Sequence, residues 1–150
     1  MNKWLLLSVL VALAGAGAGL YFFGWSRGAA SSDLPPPLQA LQRHFAAAGI
    51  DTQAGLARSG ARARLRHNVQ FELRGSKQWF SVQWFENADA AQAYLGILRQ
   101  YPASAAALAN GEFVLSLNDG WAVTDPITQR IRAAFTAFDA AAAVGSVPPR

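Results

Sequence analysis

The sequence predicts an α+β fold, a four-stranded and mostly antiparallel sheet with helices covering one face, behind a single N-terminal membrane helix. Three observations carry this prediction. The chain opens on an uncharged apolar segment. Two strand–turn–strand patterns follow, and each leads into a segment with helical apolar spacing. A further helical segment precedes both of them, so the predicted element order is α-ββ-α-ββ-α.

Residues 1–25 are predicted to be a transmembrane anchor. The uncharged residues 4–25 span roughly 33 Å at about 1.5 Å per residue, enough for a hydrocarbon core of roughly 30 Å. Trp4 at one end and Trp25 at the other match the aromatic belts of a spanning helix. The alternative is a cleaved signal peptide, because residues 12–18 offer small-x-small cleavage sites. Both interpretations predict export.

The charges that flank the anchor and the amino-acid composition predict in which compartment the domain lies. Lys3 and the terminal amine favour an N-terminus that stays in the cytoplasm while the domain is translocated. Eleven arginines against two lysines, together with abundant alanine, indicate a GC-rich bacterial genome. We therefore predict a single-pass protein of the inner (cytoplasmic) membrane with its C-terminal domain in the periplasm, or a secreted periplasmic protein if the signal is cleaved.

Within the predicted anchor, Gly15 and Gly19 form a small-xxx-small pair that would let another membrane helix approach closely. They are the predicted site of membrane-helix packing. The alternative is that they reflect only the frequent use of glycine and alanine in such segments.

The rest of the chain divides by composition into a linker, a domain and a tail. Small residues and three prolines mark residues 26–37 as a linker that holds the domain off the membrane. Residues 38–138 carry the core pattern of the α+β domain. Residues 139–150 drift from alanines into glycine and prolines, and are predicted to be a flexible tail.

The first half of the domain shows a helix and a pair of strands. Leu38, Leu41, Phe45 and Ala48 recur at helical spacing and Gly49 follows as the C-terminal cap. Residues 62–73 then alternate with period two, and after a turn residues 77–86 form a second strand with apolar residues on both faces. Because both faces of that strand are apolar, something should cover its outer side.

The second half repeats this order. Asn87 is the predicted N-cap of a helix that Pro102 stops. Residues 113–117 form a third strand, and Asn118-Asp119-Gly120 is the predicted hairpin turn into a fourth strand at residues 121–123. Thr124 or Asp125 then caps a last helix that begins near Pro126.

The supply of catalytic groups is small. The chain has no cysteine, two histidines and nine carboxylates, and no nucleophile, phosphate-binding or zinc motif appears among them. His44 and His67 have no acidic or histidine partner at ligand spacing. We therefore predict no enzyme, no cofactor and no metal site.

Charge is distributed unevenly along the domain. Residues 43–77 hold seven basic against two acidic side chains, and residues 78–150 hold four basic against six acidic ones. On an extended strand Arg62, Arg64 and Arg66 would point the same way about 6.6 Å apart and could bind phosphate or carboxylate groups. The alternative is a solvated strand face protected by charge from mispairing.

These features predict a membrane-anchored envelope protein whose small non-catalytic domain binds or organises a protein partner, as an accessory subunit of a membrane complex would. Membrane lipid is the expected partner of the N-terminal helix. An exported binding module for an anionic ligand, a lipid headgroup or an envelope polymer, is the alternative. Nucleic acid is not an expected partner, because no recognition motif accompanies the basic residues.

Overall fold

The computed structural model describes residues 34–58, 64–104, 106–117 and 121–145. They form an α+β fold with a five-stranded antiparallel sheet and four helices. The strands are β1 Thr52–Arg58, β2 Leu65–Leu73, β3 Trp79–Phe85, β4 Leu108–Asn110 and β5 Phe113–Leu117. The helices are α1 Pro36–Ala47, α2 Ala88–Leu98, α3 Pro126–Ala137 and α4 Ala140–Gly145, with a short 3-10 turn at Pro102–Ser104.

The strands lie in the order β1-β2-β3-β5-β4, and each neighbouring pair is antiparallel. None of the helices in the described part of the chain is long and apolar enough to cross a membrane. The predicted anchor, with Gly15 and Gly19, and residues 26–33 of the predicted linker lie outside the described residues.

The three predicted helices form near their predicted positions because their end signals are strong. α1 starts at Pro36, a position where the missing backbone N–H of proline costs no helical hydrogen bond. Gly49 follows the end of the helix, and its positive φ of 73° suits a residue without a Cβ. The Asn87 side chain accepts a hydrogen bond of 2.9 Å from the Ala90 amide and so caps α2 as predicted. α3 begins at Pro126.

The main core lies on one face of the sheet, under α1, α3 and α4. Alternation along β2, β3 and β5 directs one set of apolar side chains to this face, and the helices contribute their buried stripes. The fully buried members are Leu38, Leu41, Phe45, Val69, Phe71, Phe80, Val82, Phe113, Leu115, Ile131 and Phe135. Trp84 belongs to the same core and is 7% exposed.

α2 lies on the opposite face of the sheet and forms a second, smaller core. It packs mainly against β3, β4 and β5, where Phe85 and Val114 meet Ala91 and Leu95. The sequence predicted that the outer side of β3 needs a cover, and α2 provides it over part of that strand. The prediction that helices cover a single face was wrong, because helices lie on both faces.

The prediction of four strands also needs correction. β1 pairs with β2 at one edge of the sheet, although residues 52–58 carry no strong strand pattern. The predicted strand at residues 121–123 does not form. Its place as the partner of β5 is taken by β4, which comes earlier in the chain and is joined to β5 by a tight turn at Gly111, with a positive φ of 56°.

Two boundaries differ from the composition-based division. Leu34 is 3% exposed and belongs to the main core, so packing begins inside the segment predicted as linker. Residues 140–145, predicted as part of a flexible tail, form α4, whose Ala140 and Ala143 are buried. Small side chains let α4 approach the turn between β4 and β5 closely, because the Ala140 Cβ lies only 3.0 Å from the position that a Cβ at Gly111 would take.

Candidate functional site

The outer face of the sheet is polar where α2 does not pack. By strand alternation the side chains opposite the main core are those of Gln53 on β1, Asn68, Gln70 and Glu72 on β2, and Trp79 on β3. We call these five residues the open face. Gln53 and Glu72 are exposed, and the other three are half-buried. The open face is therefore built from amides, one carboxylate and one indole ring.

The register arranges the open face in rows across the strands. Gln53 lies opposite Glu72, and Glu72 lies opposite Trp79. The next row joins Gln70 to Ser81 and Ser116. The side chains of Gln53, Gln70 and Glu72 make no hydrogen bond or ion pair with the described residues. They remain available to a ligand or to water.

Where the open face meets α2, polar side chains form hydrogen bonds with each other. Gln83 is 7% exposed, and its side-chain amide exchanges hydrogen bonds of 3.1 and 3.3 Å with the Ser116 hydroxyl. Asn68 lies opposite Gln83, and its buried Oδ1 has no hydrogen-bond partner among the described residues.

A second surface with binding character lies on α2. Ile97 and Tyr101 are 52% and 59% exposed. Ala93 and Ile97 lie four residues apart on one side of α2, and Tyr101 lies in the turn that follows the helix. Gly96 lies beside them, and a Cβ there would have no neighbour within 4 Å. We call these four residues the α2 ridge.

The predicted arginine ladder does not form as a regular array. Arg62 lies outside the described residues. Arg64 precedes β2 and has a positive φ of 68°, and a bulge interrupts the β2 register between Leu65 and His67. Because of the turn and the bulge, Arg64 and Arg66 do not lie on one extended strand with a common direction. Their role as anion-binding residues stays a prediction.

Arg66 is held against the end of the sheet. Its guanidinium carbon lies 5.1 Å from the centre of the Trp84 ring, and its Nη2 donates to the carbonyl of Glu86 at 3.3 Å. The Glu112 carboxylate accepts a hydrogen bond of 2.9 Å from the Trp84 indole. The Arg66 guanidinium and the Glu112 carboxylate therefore both contact Trp84, and this carboxylate weakens the positive field that an anion would meet.

The polar residues between α1 and α3 have structural partners. His44 Nε2 lies 2.9 Å from the carbonyl oxygen of Ala134. The Arg130 Nη2 donates to the carbonyls of Ala48 and Gly49, at 3.2 and 2.9 Å, and so caps the end of α1. They line an open groove of about 500 Å³ whose other walls are alanines.

His67 is half-buried opposite Trp84, and its Nε2 is buried without a hydrogen-bond partner among the described residues. Burial lowers the pKa of His67 below its ordinary value of 6.5, because desolvation disfavours the charged ring. The folded chain therefore resists protonation in a pH range where the unfolded chain accepts it.

We expect this difference to destabilise the domain in acid. Above pH 6.5 the His67 ring is neutral in both the folded and the unfolded state, and it has no effect on stability. Below pH 6.5 the unfolded state gains the proton first. The destabilisation therefore grows as the pH falls, until the folded state is protonated too. The His67→Gln variant should lose less thermal stability than the parent protein between about pH 7.5 and about pH 5. Equal pH dependence of the two melting temperatures would contradict this role.

The described residues bring no metal-binding group together. No three histidine, aspartate or glutamate side chains among them lie close enough to hold an ion. Comparison with protein-family models, curated proteins and solved structures gives no match. The site must therefore be argued from its own chemistry.

Sequence reasoning missed both surfaces as sites. The alternation that creates the open face was visible at Asn68, Gln70 and Glu72, but it identified only the polar side of a strand. Tyr101 falls within the helix predicted to run from Asn87 to Pro102, whereas α2 ends at Leu98 and leaves Tyr101 exposed. Whether an aromatic residue near the end of a predicted helix is buried or exposed depends on where the helix ends.

Proposed function

We propose that this chain is a single-pass, membrane-anchored envelope protein whose α+β domain binds a protein partner and catalyses no reaction. The sequence supports the anchor through the uncharged residues 4–25 and their terminal aromatics. The α2 ridge carries the binding part of the proposal, because an exposed isoleucine on α2 and an exposed tyrosine in the turn after it favour contact with another protein.

Gly96 adds a second argument for a partner at the α2 ridge. A glycine inside a helix costs roughly 0.5–1 kcal/mol relative to alanine. None of the described residues packs so closely to Gly96 that it requires the missing side chain. A partner backbone that approaches the helix at this position would explain the glycine.

The expected occupant is a protein of the same membrane that presents an apolar surface. The α2 ridge holds only two large apolar side chains, Ile97 and Tyr101, so the contact in isolation would be weak. Two proteins tethered to one membrane meet at a high effective concentration, which compensates for a small interface. This is the situation of an accessory subunit.

A photo-crosslinking amino acid at Tyr101, in the full chain at native expression, would test the proposal. We expect one adduct of discrete mass from this position and none from Gln129, which is exposed on α3 on the other face of the sheet. Ile97→Asp should reduce the adduct about tenfold, since a charge would be desolvated in the interface, and Gln129→Asp should not.

Gly96→Ala separates binding from folding. It should raise the free energy of unfolding by roughly 0.5–1 kcal/mol and at the same time weaken the adduct, because the added methyl group blocks close approach. Adducts of equal yield from Gln129 and Tyr101, or an adduct of two copies of this chain, would contradict an accessory role.

A further inference from the structure

We propose that the open face is a binding site for an uncharged glycan chain. The proposal concerns a surface separate from the α2 ridge and goes beyond a protein partner. It assigns to the domain a ligand class that the sequence did not indicate.

The functional groups of the open face match those of a sugar. Gln53 and Gln70 carry amides, each of which offers two donor hydrogens and an acceptor oxygen on one planar group. Asn68 adds only its amide hydrogens, because its Oδ1 is buried. A sugar hydroxyl likewise donates and accepts. The five residues include one carboxylate, Glu72, and no cation, so an anionic polymer would find no counter-charge among them. An apolar protein surface would find little to cover.

The availability of these groups supports binding. Amides on a protein that are already paired gain little from a ligand, but the side chains of Gln53, Gln70 and Glu72 have no partner among the described residues. The pair formed by Gln83 and Ser116 beside them shows how the same face satisfies its polar groups where α2 packs. The unpaired side chains therefore lie together on β1 and β2, which α2 does not cover.

Trp79 supplies the apolar contact that sugar rings need. Its neighbour Phe80 is fully buried in the main core, so alternation places Trp79 on the outer face. The strand is fixed there, since the Trp121 indole donates a hydrogen bond of 2.9 Å to the Trp79 carbonyl and the Trp121 ring lies edge-on to Phe80. A partly exposed indole that lies opposite Glu72, at the end of the row formed by Gln53, Glu72 and Trp79, can pack against the C–H face of a sugar ring.

Because Gly55 has no side chain, nothing projects from this position of β1 over the open face. A Cβ at this position would lie 3.4 Å from both the Gln70 carbonyl oxygen and the Glu72 Oε1 atom. A large side chain there would therefore extend over the β2 residues of the open face. The glycine leaves the face open across three strands, about two strand spacings or roughly 10 Å wide, beside a β1 irregularity between Ala54 and Ala57.

Titration of the full chain in lipid nanodiscs with tetra-N-acetylchitotetraose and with cellotetraose would test the proposal. Binding is followed by the side-chain amide signals and the Trp79 indole N–H signal in nuclear magnetic resonance spectra. We expect saturable shifts of the Gln53, Gln70 and Trp79 signals with at least one of the two sugars. The Gln53→Ala/Gln70→Ala variant, followed by the Trp79 signal that it retains, should bind at least about tenfold more weakly. The matched variant Gln92→Ala/Gln100→Ala, altered at exposed positions of α2 and the turn after it, should bind as the parent does.

Binding should be unchanged between about 0.05 and 0.5 M salt, because no charge pair forms. Binding that weakens with salt would overturn the proposal in favour of an anionic ligand, and absence of saturable shifts with both sugars would overturn it outright. Gly55→Leu should block the sugar in the same way as the double variant. Ile97→Asp should leave the sugar titration unchanged, so the glycan site and the protein contact can fail independently.

Discussion

The Phe45→Ala variant is expected to lose about 3–5 kcal/mol of its free energy of unfolding. Phe45 on α1 is fully buried and contacts two sheet residues edge-on, Phe71 with ring centres 6.0 Å apart and Phe80 with ring centres 5.4 Å apart. Truncation removes both ring contacts and leaves a cavity between helix and sheet. A domain of this size has about 5–15 kcal/mol in total, so most of its stability is at stake.

Denaturant unfolding of the full chain, followed by near-ultraviolet circular dichroism, would measure the loss. Tyr101→Ala is the matched control, because its aromatic ring is 59% exposed and its removal should change stability by less than about 0.5 kcal/mol. Phe45→Leu should fall between the two, since it keeps part of the buried volume. A loss below about 1 kcal/mol for Phe45→Ala would mean that α1 does not pack on the sheet as described.

The elements that the sequence predicted well have strong local signals at both ends. α1 lies between prolines and Gly49, and α2 lies between the Asn87 cap and Pro102. The hairpin of β2 and β3 has alternating large apolar residues and a glycine turn. In these segments local propensity, apolar pattern and tertiary packing agree, which is the condition under which a pattern identifies an element.

The errors occurred where packing overrides a local pattern. β1 contains small residues around Gly55, so its pairing with β2 decides that it is a strand. Residues 121–123 resemble a short strand, but the Trp121 side chain instead packs against Phe80 and bonds the Trp79 carbonyl. α4 is an alanine run that becomes helical against α1. None of these outcomes follows from a segment considered alone.

The candidate surfaces depended on information that no local pattern holds. β3 is apolar on both faces, so the sequence showed that a cover was needed but not which strands α2 would leave open. The regular alternation assumed for Arg62, Arg64 and Arg66 is interrupted for a related reason, because Arg64 has a positive φ and a bulge lies between Leu65 and His67. Anion binding by these arginines stays a prediction. Strand spacing predicts a common direction only as long as the register is continuous.

Trp84→Ala is expected to lose a similar amount of stability, about 3–5 kcal/mol. The Trp84 ring is 7% exposed and stacks on Phe113 with ring centres 6.1 Å apart. Its truncation would also leave the Glu112 carboxylate without its indole donor. Trp84→Phe keeps an aromatic ring but removes that donor, so a smaller loss of about 1–3 kcal/mol is expected from the hydrogen bond to a charged group.

The contribution of Arg66 can be separated from that of the buried ring. Arg66 is exposed, and its contact with the Trp84 ring should be worth about 0.5–1 kcal/mol. A double-mutant cycle of Arg66→Ala and Trp84→Leu, which removes the aromatic ring, isolates this coupling when measured by denaturant unfolding. If Arg66→Ala alone cost as much as Trp84→Ala, the arginine rather than the ring would hold this end of the sheet. The stability of the domain and any anion binding by Arg66 would then be inseparable, whereas the expected small loss leaves Arg66 free to be tested as a ligand contact in a folded protein.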